Sequence, residues 1–193
     1  MKKAIALALC TVFASSAYAG ATDPGFYIGG GFGLTESKLD SLDDYSLPTP
    51  DSERALKVYG GYQFNRIVAV EAGYTNYGKF THPAAPGLSA TPTALSVAAN
   101  LGYTFDNGIR PFATVGLSHV NTKTRFGPFS DEQSTLGIRY GVGVEYAPKM
   151  IDGLAMRLAY EMDAFSYEHP LHITTEKAKI AVGGLYLGAS YKF

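Results

Sequence analysis

Seven charged residues sit inside stretches otherwise rich in Val, Leu, Ile, Tyr and Gly: Lys57, Glu71, Arg139, Glu145, Arg157, Glu161 and Asp163, with Lys192 as an eighth candidate. The chemistry they point to is ion pairing. A charge held away from water is costly unless an opposite charge and hydrogen bonds meet it. Arg139 and Arg157 come close to Glu145 and Glu161 once their segments lie side by side. The same residues allow two readings, a structural network that fills an interior or a gate on a narrow ion path.

Other chemistries are poorly served. Ser118 and His119 are adjacent, so in an extended chain they point to opposite faces and cannot pair directly. The remaining histidines, His82, His169 and His172, fall in polar connecting stretches. No G-x-S-x-G elbow is present to present a nucleophile. The run holding Glu36, Asp40, Asp43, Asp44, Asp51 and Glu53 is acidic, with Lys38 as its one cation, but lacks the D-x-D-x-D-G spacing of a calcium loop. His169 and His172 suit no more than a weak metal site. The sequence therefore predicts no enzyme, no catalytic residue, no cofactor and no metal site.

The elements that carry the charges alternate with period two. Leu136–Tyr146 sets Leu136, Ile138, Tyr140, Val142, Val144 and Tyr146 against Gly137, Arg139, Gly141, Gly143 and Glu145. Leu154–Ala164 sets Leu154, Met156, Leu158, Tyr160 and Met162 against Ala155, Arg157, Ala159, Glu161 and Asp163. The same pattern runs through Gly25–Thr35, Arg54–Phe64, Ile67–Asn76, Ala94–Phe105, Ile109–His119 and Leu185–Phe193, the last beginning near Lys179. That makes eight strands of about ten residues, the length of a tilted strand across a bilayer. Helical periodicity is absent from this part of the chain.

Connections alternate too. Asn65-Arg66, Asp106-Asn107-Gly108 and Pro148–Gly153 are short, and Asn-Gly is a strong turn signal. Glu36–Glu53, Gly78–Thr93, Asn121–Thr135 and Phe165–Ala178 read as long polar loops, the second stiffened by Pro83, Pro86 and Pro92. Loops on a rigid scaffold are where binding function usually sits.

Met1–Ala19 reads as a cleaved secretory signal peptide: Lys2 and Lys3, the apolar core Ala4–Ala14, then Ala17-Tyr18-Ala19 as the A-x-A site. Cys10, the one cysteine, falls in that segment, which leaves a mature barrel domain of residues 20–193 without disulfide or thiol chemistry. A net charge of −1 across 193 residues gives no electrostatic footprint for nucleic acid.

Alternation fits either a soluble barrel around a ligand or a membrane barrel around its own side chains. Three features favour the membrane. The polar face is rich in Gly, Ala, Ser and Thr and carries few charges, which suits the narrow interior of an eight-stranded barrel. Tyr62, Phe64, Tyr103, Phe105, Tyr146, Tyr191 and Phe193 close the even-numbered strands, so they fall at one level as an aromatic girdle for the periplasmic headgroup layer. Tyr74, Tyr77 and Phe165 are the candidates for the opposite girdle. The last strand is apolar, and hydrocarbon forbids an open sheet edge.

The chain resembles the small eight-stranded outer-membrane barrels of Gram-negative bacteria, the OmpA-like transmembrane domain, OmpX and the opacity-type porin family. FYIGGGFG resembles their Gly-rich first strand, VAVEAGYTNYG, with Glu71, their third, and the terminal ASYKF the signal read by the barrel-assembly machinery. The resemblance implies an antiparallel up-and-down all-β transmembrane barrel in the outer membrane, monomeric, in contact with lipopolysaccharide and phospholipid. It also implies adhesion or colonisation through host or cell-surface ligands of the loops, as in virulence-associated relatives. A small ion-conducting pore is the alternative, and a lipid-modifying enzyme comes third. No peptidoglycan-binding domain is expected after the barrel.

Overall fold

The computed structural model describes residues 20–40, 53–81, 87–127, 129–168 and 177–193. The predicted leader, with Ala17 and Ala19, and His82, His169 and His172 lie outside the described residues. The strands are β1 (Gly25–Asp40), β2 (Glu53–Gln63), β3 (Val68–Asn76), β4 (Phe80–Thr81), β5 (Leu88–Gly102), β6 (Ile109–Phe126), β7 (Phe129–Tyr146), β8 (Leu154–Glu168) and β9 (Lys177–Lys192). All pairings are antiparallel, and the order β3-β2-β1-β9-β8-β7-β6-β5 is closed by pairing of β3 with β5. Eight strands thus make an up-and-down barrel. The two-residue β4 adds only a short pairing to the start of β5.

Side-chain alternation decides which way each strand faces. Leu56, Val58, Leu95, Val97, Leu117, Ile138, Val142, Leu158 and Leu187 stand exposed on the outside, while their neighbours Lys57, Ser96, Ser118, Arg139, Arg157 and Tyr186 are buried. An outer surface of Leu, Val and Ile with a buried polar interior reverses the pattern of a soluble barrel, and hydrocarbon is the solvent that stabilises it.

The three short turns share one end with Gly25 and Phe193. Asn65 Oδ1 accepts from the Ile67 and Val68 amides at 2.8 and 2.9 Å. Gly108 takes a positive φ of 85° and Gly153 one of 80°, where a Cβ would be strained. Backbone hydrogen bonds then stitch this rim together: Thr104 N to Arg66 O, Ala147 N to Gly108 O, Lys192 N to Gly153 O and Phe193 N to Phe26 O, at 3.0, 2.9, 2.8 and 2.8 Å.

The opposite end departs from the sequence-based expectation. Asn121–Thr135 is not a loop. β6 and β7 run through it, paired from Asn121↔Ser134 to Phe126↔Phe129. Residues 121–125 and 130–135 are polar on both faces, so the period-two signal vanishes while the backbone ladder persists. β5 extends likewise, with Pro92 inside the strand. β1 reaches Asp40 and β9 starts at Lys177, so Glu36–Asp40 and the start of β9 are strand as well.

Candidate functional site

All seven predicted lumen charges point inward, and Lys192 does too. The seven, joined by Arg110, form one chain of alternating sign. Arg139 holds Asp163 through Nε at 2.8 Å and Nη2 at 2.6 Å, a bidentate fork, and lies 3.8 Å from Glu161. Glu161 accepts from Lys57 Nζ at 2.6 Å, and Lys57 reaches Glu71 at 3.4 Å. Glu71 accepts from Arg157 Nη1 at 2.8 Å, and Arg157 donates to Glu145 from Nε at 2.8 Å and Nη2 at 2.7 Å. Glu145 also takes Arg110 Nη1 at 3.0 Å. The order is Asp163, Arg139, Glu161, Lys57, Glu71, Arg157, Glu145, Arg110, four anions against four cations. Each carboxylate lies between two cations, except Asp163 at the end of the chain. That balance is what makes buried charge tolerable in a lipid-shielded interior.

Arg110 escaped the sequence reading. It shares parity with Phe112 and Thr114, which marks it as inward, but Pro111 beside it blurs the start of β6. The tyrosines are the other missed members. Tyr186 OH donates to Glu161 at 2.8 Å, Tyr27 OH donates to Glu71 at 3.1 Å, and Arg157 stacks on the Tyr59 ring 4.1 Å from its centroid. Tyr77 OH donates to Asp163. The polar-face glycines make room for these rings. A Cβ on Gly29 would lie 2.5 Å from Tyr59 Cζ, and one on Gly61 2.7 Å from the Tyr27 ring.

Tyr77 and Phe165 do not form an outer girdle. Tyr77 has the parity of Thr75, and Phe165 that of Asp163, so both turn inward and are buried. With Ala94, Val120 and Val182 they pack an apolar cluster across the lumen end opposite the short turns, flanked by Phe80 and Ile180. Tyr74 alone of the three faces out, half exposed.

At the other end a cavity of about 310 Å³ lies among the short turns, with Arg110, Glu145, Gln63 and Lys192 in its wall. Around this rim the predicted girdle residues gather. Tyr62–Phe64, Tyr103–Phe105 and Tyr191–Phe193 make edge-to-face pairs at 5.0, 5.0 and 5.3 Å, and Phe26 joins Tyr62 at 4.6 Å. Phe64, Tyr103, Phe105, Tyr146 and Tyr191 stand exposed. Ser118 is buried in the lumen while His119 is exposed on the outer face, so this pair is not brought together.

A closed antiparallel barrel with an apolar exterior and a charge-filled interior defines a β-barrel protein of the bacterial outer membrane. The chain belongs to the family of the outer membrane protein beta-barrel domain, whose model matches residues 5–193. It is similar to outer membrane protein A of Escherichia coli O157:H7, 26% identical over 197 residues, covering 100% of this chain and 55% of that protein. The chain therefore spans about half the length of the curated relatives it matches. Among solved structures, Neisserial surface protein A superposes with a TM-score of 0.66 at 18% identity, covering 88% of this chain and 97% of that one. Ail of Yersinia pestis does so at 0.55 and 19% identity, covering 88% and 99%. These likenesses establish the fold, and the family places the protein in the outer membrane.

Proposed function

We propose that the protein is a non-conducting, non-enzymatic scaffold that presents surface structure outside the cell for adhesion or colonisation. The observation that carries this is the tall hairpin of β6 and β7. β7 pairs with β8 only from Gly137↔Phe165, whereas with β6 it continues to Phe129. Residues 129–136 thus rise roughly 25 Å along the strand beyond that last β7–β8 pair. Lys123 and Glu132 pair across the hairpin at 2.6 Å, and Phe126 and Phe129 stand exposed at its tip. A pre-ordered hairpin loses little conformational entropy on binding, which favours recognition by its tip. Ail, described as an attachment invasion locus protein, has been crystallised in complex with the heparin analogue sucrose octasulfate, which supports a surface-binding reading for this fold.

Residues 1–19 are removed on export. The exposed apolar belt meets lipopolysaccharide and phospholipid, and the barrel works as a monomer. β9, ending in Tyr191-Lys192-Phe193, is what the barrel-assembly machinery recognises. The lumen, filled by the ion-pair chain and covered by the apolar cluster, favours a structural role over an ion gate.

The test is adherence of bacteria carrying the protein to cultured host cells, with residues 121–134 exchanged for a two-residue Asn-Gly turn between the paired Val120 and Thr135. Adherence should fall to the level of cells lacking the protein. Unchanged adherence by a correctly inserted variant would overturn the role of the hairpin. Discrete conductance steps from the purified protein in a planar bilayer would favour the pore instead.

A further inference from the structure

Lys192 stands apart from the ion-pair chain. It is buried, with 7% of its surface exposed, and no carboxylate pairs with it among the described residues. Its three N–H groups instead meet three neutral oxygens. Two are backbone carbonyls of the segment before β1, Ala21 O and Asp23 O, each at 3.0 Å. The third is Gln63 Oε1 at 3.4 Å. Gln63 Nε2 in turn donates to Ala21 O at 3.2 Å. The segment is itself folded into a turn: Asp23 N donates to Gly20 O at 3.1 Å, and Gly20 N donates to Asp23 Oδ2 at 2.9 Å.

The position of this turn matters. Tyr27 of β1 pairs with Lys192 of β9, so Lys192 marks the start of the seam where the first and last strands close the barrel. Gln63 ends β2 on the other side of β1, opposite Gly25. The turn therefore ties together the ends of three neighbouring strands and covers the cavity wall beside them, where Gly20, Ala21 and Thr22 all lie.

We propose that Gly20–Asp23 is a latch across the closing seam, seated on Lys192 and Gln63 and completed by removal of the leader. This rests on the reading that cleavage follows Ala19. Hydrolysis of the Ala19–Gly20 bond adds water across it, leaving a carboxyl on Ala19 and an amine on Gly20. That amine takes up a proton at neutral pH, since an α-amino group titrates near pH 8. The neutral amide that faces Asp23 Oδ2 becomes an ammonium, and the hydrogen bond becomes charge-assisted, of the stronger kind. Export processing thereby tightens the turn whose carbonyls hold Lys192 in the closed barrel.

The experiment is amine labelling of the leader-processed protein purified from outer membranes, read by peptide mass spectrometry. Lys192 should acetylate at least about tenfold more slowly than Lys149, which is exposed on a turn at the same end, and the Gly20 α-amine about threefold more slowly than the same amine in Asp23→Ala. Asp23→Ala, which leaves every strand intact, should release both sites together, while Lys149→Met should release neither. If the processed chain starts at Gly20 and Lys192 labels as fast as Lys149, or stays protected in Asp23→Ala, the latch is overturned. If it starts elsewhere, the cleavage reading fails and takes the ammonium with it. The starting residue, read from the same spectra, distinguishes the two failures.

Discussion

Asp163 is the residue on which the lumen depends most. It is fully buried and receives two guanidinium hydrogen bonds from Arg139 and one from Tyr77. Asp163→Ala leaves Arg139 with the neutral hydroxyls of Ser96, Thr75 and Tyr77 and with Glu161 at 3.8 Å as its one nearby carboxylate, and should cost roughly 3–5 kcal/mol of unfolding free energy. The double change Arg139→Met with Asp163→Leu should cost less than the single one, because no buried charge is orphaned. Urea titration in lipid vesicles decides between them, and a double variant less stable than Asp163→Ala would contradict the account. Glycines give a second contrast. Gly29→Ala drives a methyl into the Tyr59 ring and the Ala189 carbonyl and should destabilise by about 1–3 kcal/mol. Gly73→Ala meets its nearest atoms at 3.4 and 3.5 Å and should be neutral or slightly stabilising in the same titration. At this scale the sequence was legible through parity alone. Parity turns Lys57, Glu71 and Arg157 inward, and applied strictly it does the same for Tyr77, Phe165 and Arg110. What parity cannot reveal is partner choice: Glu71 joins Arg157 from four strands away in either direction around the ring, because the narrow lumen brings opposite walls within reach.

The strands divide by environment rather than by length. Within lipid, β7 carries the alternation of Ile138, Tyr140 and Val142 against Arg139 and Gly141, and that is where the sequence spoke clearly. Above lipid, Ser130, Asp131, Glu132, Gln133 and Ser134 are all exposed, so the strand there is held by its ladder to β6 and leaves no trace in hydropathy. The hairpin should then be separable from the barrel. Replacing residues 121–134 by Asn-Gly keeps the Val120–Thr135 pair and removes no residue of the β7–β8 pairing, which begins at Gly137. The shortened protein should still run faster on a gel unboiled than boiled, the mark of an intact barrel. A chain that migrates identically in both states would show that the hairpin is needed for closure. The turn-side rim makes the opposite claim on its elements. Tyr103 and Phe105 stack edge to face on the outside, where ring and headgroup layer meet. Tyr103→Ala with Phe105→Ala should lower the unfolding midpoint in vesicles while leaving the lumen chain untouched. An unchanged midpoint would remove the girdle from the energetics of the fold.

For the whole molecule, the lumen holds two layers of unlike material. The ion-pair chain fills the middle, and the cluster of Tyr77, Ala94, Val120, Phe165 and Val182 lies across the end away from the short turns. Tyr77 belongs to both, apolar by its ring and bonded to Asp163 by its hydroxyl. Eight strands leave an interior that side chains just fill, and on the proposed scaffold role neither layer passes a hydrated ion. Opening the chain alone, as in Arg139→Ala with Glu161→Ala, leaves the apolar cluster in place, and thinning the cluster alone, as in Phe165→Ala with Val182→Ala, leaves the charges paired beneath it. Planar-bilayer recordings should therefore be silent for the native protein and for each pair of changes. Discrete steps should come only when all four are combined in a chain that still shifts on the boiled gel. Steps from the native protein would mean that its charges exchange partners rapidly enough to pass ions, and the lumen would then be a gate rather than a filling.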